Sequence, residues 1–301
     1  SGIYLEQTIS GGSTSSPRLT AVVVRRSGSV AKDVSSVHAF WVGFYLRGWG
    51  SPEFHDCDFQ GLEPYQVKDS KVAYAHHSYA GFLCDDNSLT GKARRATLNP
   101  QWFSCSVYAT EYAVVVTGEN EGGKIIAANF QEVNYGVLID HVSQEGLINS
   151  QPYFTMSDSH VNSNRGAVIV RNGRMGHFHN NHFYQKVTSD AKVYKFFEIN
   201  GPVDGLKKAP RLNFMHQIIG NYMQSTGCEG ISYGVWVDNA ERVIVMGNQF
   251  ASIDHPVFLG EGTANCDVSL GNMAYVHPQE KKSSAKQRYV PADFCTNSGR
   301  G

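Results

Sequence analysis

A glycine or other small residue, followed by alternating apolar and variable positions, recurs along almost the whole chain. It reads Gly2-Ile3-Tyr4-Leu5-Glu6, Gly43-Phe44-Tyr45-Leu46-Arg47, Gly81-Phe82-Leu83-Cys84-Asp85 and Ala113-Val114-Val115-Val116-Thr117. It continues as Gly136-Val137-Leu138-Ile139-Asp140, Gly166-Ala167-Val168-Ile169-Val170 and Phe196-Phe197-Glu198-Ile199-Asn200. The last copies are Gly234-Val235-Trp236-Val237-Asp238 and Pro256-Val257-Phe258-Leu259-Gly260. The first and third residues after each lead position are apolar in nearly every copy. That is the period of a strand with one face packed inward, and no 3.6-residue face recurs to support helical repeats.

A second strand follows each copy, cleanest in Ile219-Gly220-Asn221-Tyr222-Met223, Met246-Gly247-Asn248-Gln249-Phe250 and Leu270-Gly271-Asn272-Met273-Ala274. A weaker third strand precedes each glycine, as in Lys71 to Ala75. Lead positions are separated by 22 to 41 residues. The shortest spacing is close to one bare turn of a parallel β-helix, and longer ones are the same turn with a loop inserted at a corner.

The expected fold is therefore all-β, a right-handed parallel β-helix of about nine rungs over residues 1–276, with 277–301 a polar exit segment or linker. At ~4.8 Å per rung the rod is on the order of 40 Å long. Its core is expected to stack Val114, Val137, Ala167, Phe197, Val235 and Val257. The repeat starts at Gly2 without a capping element, and solenoid ends need caps. The expectation is that a segment once preceded residue 1 and that the chain is a fragment of a longer one.

Composition excludes several classes. Lys plus Arg (26) almost balances Asp plus Glu (27), whereas a phosphate-tracking protein carries a basic excess, so nucleic acid is not an expected partner. The longest apolar run, Ala39 to Leu46, is far short of a membrane span. Six cysteines without a CxxC pair point to free thiols rather than a disulfide framework.

Glycine-led strands, an Asn-containing second turn and corner loops of varied length together resemble the right-handed parallel β-helix of the pectate-lyase type. More narrowly, the chain resembles the central β-helix of bacteriophage tailspikes. The resemblance implies a homotrimer that binds, and often cleaves, a bacterial surface polysaccharide (O-antigen, capsule or exopolysaccharide). It implies a protein made in the bacterial cytoplasm, carried on the virion tail and acting outside the host, with no cofactor and no membrane insertion. No catalytic signature of a named subfamily accompanies the architecture.

The second and fourth residues after each lead position are expected to point outward and stack. One column reads Tyr4, Tyr45, Leu83, Val115, Leu138, Val168, Glu198, Trp236, Phe258; the other reads Glu6, Arg47, Asp85, Thr117, Asp140, Val170, Asn200, Asp238, Gly260. Aromatic rings cover the apolar face of a pyranose, and carboxylates accept hydroxyl hydrogen bonds. Trp236, Tyr45, Asp140, Asn200, Asp85 and Arg171 are thus candidate sugar contacts. Glu198 and Asp238 lie one rung and two residues apart, about 8 Å between Cα atoms, within range of an inverting glycosidase pair. Trp236 beside Glu198 would desolvate it and suit it as general acid, with Asp238 as base. Asp140 is too far from Asp238 to pair with it. Asp85 and Asp86, with Arg47 one rung below, form a second candidate cluster; outward carboxylates are also the ordinary means of keeping such a face soluble.

Other clusters are read as structural. His177 and His179 can share a strand face, but no third ligand is placed, so no metal is expected. Asn181, Asn221, Asn248 and Asn272 recur at one position and predict a hydrogen-bonded ladder at a turn. Cys57 and Cys105 align in consecutive second strands and Cys84 points inward, as buried thiols would. Three functional readings stay open: a polysaccharide-degrading glycoside hydrolase, a β-helical adhesin that holds glycan without cutting it, and a purely structural shaft. A lyase on the same fold, with Arg171 or Lys195 near the acids, is the rival chemistry.

Overall fold

A computed structural model describes residues 3–6, 20–24, 30–32, 34–37, 42–46, 51–61, 78–85, 99–117, 122–140, 153–186, 189, 191–200, 213–226, 230–260, 262–268 and 271–275. The described residues are strands, turns and bends, with no helix among them. Their strands form a 17-stranded sheet, a nine-stranded sheet and a two-stranded one, and the strand pairings within them are parallel.

The strands fall into three columns that the chain visits in a fixed order. Column one holds 3–6, 34–37, 58–60, 106–108, the first part of 129–140, the first part of 160–171, 182–185, 222–224, 249–251 and 273–275. Column two holds 20–24, 42–46, 80–85, 112–117, the remainders of the two long strands, 193–200, 231–238 and 255–259. The nine-stranded sheet is column three, from 30–32 to 267–268. The 12-residue strands Asn129–Asp140 and His160–Arg171 run through columns one and two, which is why those two merge into one sheet.

Each column contributes its inward residues to one core. Phe44, Phe82, Val114, Val137, Val168, Phe197 and Val235 come from column two; Phe59, Phe130 and Phe183 from column one; Phe54, Trp102 and Phe178 from column three. Phe44 and Phe82 stack at 4.7 Å, and Phe82 meets Trp102 edge-on at 6.0 Å. The lead glycines are required by this packing. A Cβ at Gly43 would lie 2.5 Å from the Phe59 ring, at Gly81 2.5 Å from Val107, and at Gly234 2.5 Å from Phe250. A side chain in column one occupies the space that each glycine leaves.

Two alignments made from sequence shift. Ile3–Glu6 pairs with Val34–Val37 in column one, so Tyr4 and Glu6 do not stack on Tyr45 and Arg47; column two begins instead with Thr20–Val24. Alternation is common to all three columns, and a preceding glycine does not distinguish them. At the sixth copy Gly166 aligns with Tyr135 and Lys195, making Ala167 the lead residue. A one-residue slip exchanges the faces: Val168 and Val170 point inward, while Ile169 and Arg171 take the outward positions.

The segments read as single second strands are two short strands joined by a tight corner. Its first residue is left-handed in every described copy, from Asp56 (φ 51°), Ser104 and Ala127 to Asp158, Asn180, Gly220, Gly247 and Gly271 (φ 99°). The next position forms the ladder. Asn181 N–H and Nδ2 both donate to Asn221 Oδ1 at 3.0 Å, Asn221 does the same to Asn248, and Asn248 to Asn272. Each Nδ2 also donates to a backbone carbonyl: Met156, Phe178, Ile218 and Val245 in turn. Towards the N-terminus the same position holds Ser159, Ala128, Cys105 and Cys57. Cys57, Cys84 and Cys105 are buried thiols, and the contact with Cys57, then burial, hold the Cys105 thiol far above its ordinary range. Lys71–Ala75, His76, His77 and 277–301 lie outside the described residues.

Candidate functional site

The outward side of column two changes character along its length. Val42, Ala80, Leu83, Val115, Leu138 and Ile169 form a second apolar cluster, buried, with Tyr45, Tyr79, Tyr112 and Tyr135 packed against it. Tyr112 and Tyr135 stack at 5.2 Å. Burial, then Glu111, pushes the Tyr112 hydroxyl up to about 12, and burial raises Tyr135 as well. The expectation of one continuous sugar-facing column is therefore corrected: Leu83, Val115 and Leu138 are core residues of a second layer.

From Lys195 onward the same positions carry charge and open aromatic surface. Lys195 pairs in register with Tyr233, and Tyr233 with His255; Glu198 pairs with Trp236, and Trp236 with Phe258. Trp236 stacks on Phe258 with centroids 4.2 Å apart and meets Tyr233 edge-on at 4.8 Å, while Tyr233 stacks on His255 at 4.8 Å. Lys195 Nζ lies 4.2 Å from the centre of the Trp236 ring and 3.1 Å from Glu198 Oε1. A cavity of about 410 Å³ opens here, lined by Tyr135, Arg165, Gly166, Ile169, Val193, Lys195, Glu198, Tyr233 and Trp236. It exists because Gly166 supplies no side chain between Tyr135 and Lys195 in the outward row: a Cβ there would sit 3.2 Å from the Tyr135 ring and 3.1 Å from the Lys195 carbonyl. Its volume falls within the usual range for small-ligand pockets.

Of the residues singled out from sequence, Glu198 and Trp236 line this cavity side by side. Asp238 lies two residues beyond Trp236 and pairs with Asn200, which keeps the expected Cα separation from Glu198 of about 8 Å. Asp238 Oδ1 also accepts hydrogen bonds from Asn239 N (2.9 Å) and Gly262 N (3.3 Å), so one of its oxygens builds the corner after the strand. Asn200 stands between Arg171 and Asp238 in the same outward row, and Arg171 stands beside Asp140. Asp140 Oδ1 accepts from Asn172 Nδ2 at 3.0 Å. Tyr45 is five strands from Glu198, roughly 24 Å along the column, and packs on the apolar cluster, so it is not brought to the cavity. Asp85 pairs with Thr117 in column two; Arg47 and Asp86 lie outside the described residues.

Sequence reasoning passed over Tyr135, Arg165, Ile169, Val193 and Tyr233. Three of these follow from the repeat: the position three residues before each outward residue gives Tyr112, Tyr135, Gly166, Lys195 and Tyr233, and correcting the slip at Gly166 brings in Ile169.

A second open cavity, about 660 Å³, lies on column one and its corner, where His160, His182 and Tyr184 gather beside Asn129 and Asp158. His160 and His182 are register partners, and burial, then His182, lowers the His160 pKa. His177 and His179 pair with Gln217 and Ile219 on column three, and neither lines that cavity. Among the described residues no three His, Cys, Asp or Glu side chains converge as a metal site requires. No protein-family model matches the chain, and no curated protein matches it.

Proposed function

We propose that the three columns are the faces of a right-handed parallel β-helix of about nine rungs, and that the chain is a tailspike-type receptor-binding protein which binds and endo-hydrolyses a bacterial surface polysaccharide. The observation that carries this reading is the column-two cavity, where Trp236 and Tyr233 form an aromatic wall beside the Glu198–Lys195 pair. Phe258 covers one face of the indole and Lys195 lies over the ring, so in this reading a pyranose packs its apolar face there as Lys195 moves aside, and the polar groups orient its hydroxyls.

In this reading Glu198 is the general acid toward the glycosidic oxygen, and the second oxygen of Asp238 takes a proton from the attacking water. The two-carboxyl spacing favours inversion. Lys195 must release Glu198 as the sugar enters, because a carboxyl held in an ion pair is not free to reach the glycosidic oxygen. The protein acts outside the host after assembly into a homotrimer on a virion; light scattering on the intact chain is expected to give three times the chain mass.

A second reading, a non-catalytic adhesin, is favoured by one specific observation: Glu198 is ion-paired and one Asp238 oxygen is held by backbone amides, so both carboxylates have structural partners. Digestion of a panel of bacterial surface polysaccharides separates the possibilities, following new reducing ends and absorbance near 232 nm, with Glu198→Gln and Asp238→Asn beside the parent. Reducing ends without absorbance, lost in either variant, support the hydrolase. Absorbance indicates a lyase, and binding without cleavage the adhesin. Cleavage that survives both substitutions removes this pair from the mechanism.

A further inference from the structure

We propose that the column-two cavity selects a polysaccharide carrying an acidic substituent, held at the cavity mouth by Arg165 with Lys195 behind it. The inference rests on the glycan-binding reading of this face and adds the class of sugar that it takes.

Two cations and one carboxylate line the cavity: Arg165, Lys195 and Glu198. Glu198 is committed to Lys195. Glu132 is paired with Lys186, Glu111 accepts from Asn134, and Asp238, which does not line the cavity, holds backbone amides with one oxygen. Arg165, an exposed residue on the lip, has no carboxylate partner among the described residues, and its charge acts on the Tyr135 hydroxyl. Arg165 is exposed and itself lines the cavity, next in sequence to Gly166, the residue whose missing side chain opens it.

A neutral sugar leaves that charge unanswered. A carboxylate or phosphate answers it with paired N–H donors, because the planar guanidinium fork matches both anions. Lys195 is neutralised by Glu198 and lies over the Trp236 ring, whose other face Phe258 covers, so Arg165 supplies the unanswered charge of the lining. An acidic sugar that displaces Lys195 from the Trp236 ring, with its anionic group toward Arg165, meets the aromatic wall and answers that charge together.

The test measures binding of the intact chain to polygalacturonate, to the same polymer after carboxyl reduction, to a phosphodiester-linked capsular polysaccharide and to dextran. Arg165→Gln, Arg165→Lys and Trp236→Ala are compared with the parent. The expected result is preference for an acidic polymer over its neutral counterpart, lost roughly ten- to a hundredfold in Arg165→Gln and partly restored in Arg165→Lys. The stronger of the two acidic polymers shows whether carboxylate or phosphate is read. Equal binding of neutral and acidic polymers, an unchanged Arg165→Gln, or no binding of either acidic polymer overturns the proposal. If neutral polymers bind and only Trp236→Ala releases them, acid selection fails while the glycan-binding face stands. If Trp236→Ala leaves all binding intact, the face itself is misassigned.

Discussion

Two stretches of the same outward face, built on the same parallel strands in the same register, do opposite things. From Val42 to Ile169 the outward row is a buried apolar layer with tyrosines laid against it. From Lys195 to Phe258 the row that continues it holds an ion pair, a lysine over an indole and an open cavity. Backbone geometry cannot account for the change, since Ile169 pairs with Glu198 as regularly as Leu138 pairs with Ile169. Side-chain chemistry at a fixed position decides whether the column builds a second core layer or an open surface of charged and aromatic groups. Gly166 and Ile169 mark the boundary: one opens the gap and the other closes the apolar row.

That contrast can be broken most forcefully from the apolar side. Val115 is fully buried, and Val115→Asp places an unpaired charge there. The expected cost is about 3–5 kcal/mol, read as a lower denaturant midpoint. Trp236→Ala is expected to cost about 1 kcal/mol or less in the same experiment, because Trp236 is half-buried and lies on the open side, yet to abolish glycan binding. Equal stability losses at the two positions would show that the halves do not differ.

The corner ladder offers a second contrast. Asn221 donates to Phe178 O and Asn248 Oδ1 and accepts two bonds from Asn181. Asn221→Ala leaves those groups buried without partners and is expected to cost about 2–3 kcal/mol. Cys105→Ser, at the equivalent corner position, is expected to cost about 1 kcal/mol or less, since its thiol makes weak contacts, with the Cys57 thiol and at 3.5 and 3.6 Å to the Phe103 and Phe54 carbonyls.

The smallest effect is in alkali. The Tyr112 hydroxyl has a folded-state pKa of about 12 against an ordinary 10.0. Because it is raised by folding, its contribution to stability is intact below pH 10 and is lost as pH climbs toward 12. Stability of the parent is expected to fall across that window, and Tyr112→Phe to flatten part of the fall. An identical alkaline limb in both proteins would mean that burial at this position is not what holds the proton.

Much of the fold was legible in the sequence because alternation reports faces directly: the inward residues Val114, Val137, Phe197 and Val235 lie in the core as read. The asparagine ladder was legible for the same reason, since one residue type at one repeat position implies one set of partners. The strand 3–6 was placed in the wrong column because three columns share the same alternation. Gly166 misled because a glycine can serve either as a lead residue beneath a column-one side chain or as a gap in the outward row. The site was half legible. Glu198 and Trp236 were found from the alternation, whereas the Lys195 ion pair and the closed apolar row depend on side-chain contacts that spacing does not specify.

The central claim is that glycan binds on the Lys195–Phe258 stretch of this face. Affinity electrophoresis of the parent and Trp236→Ala, in gels cast with bacterial surface polysaccharides, tests it most directly. The account expects at least one polysaccharide to retard the parent strongly, and Trp236→Ala to run in that gel as it does without glycan. Retardation that is unchanged by Trp236→Ala would contradict the account and move the binding surface elsewhere, with the His160–His182 cavity of column one as the next to examine.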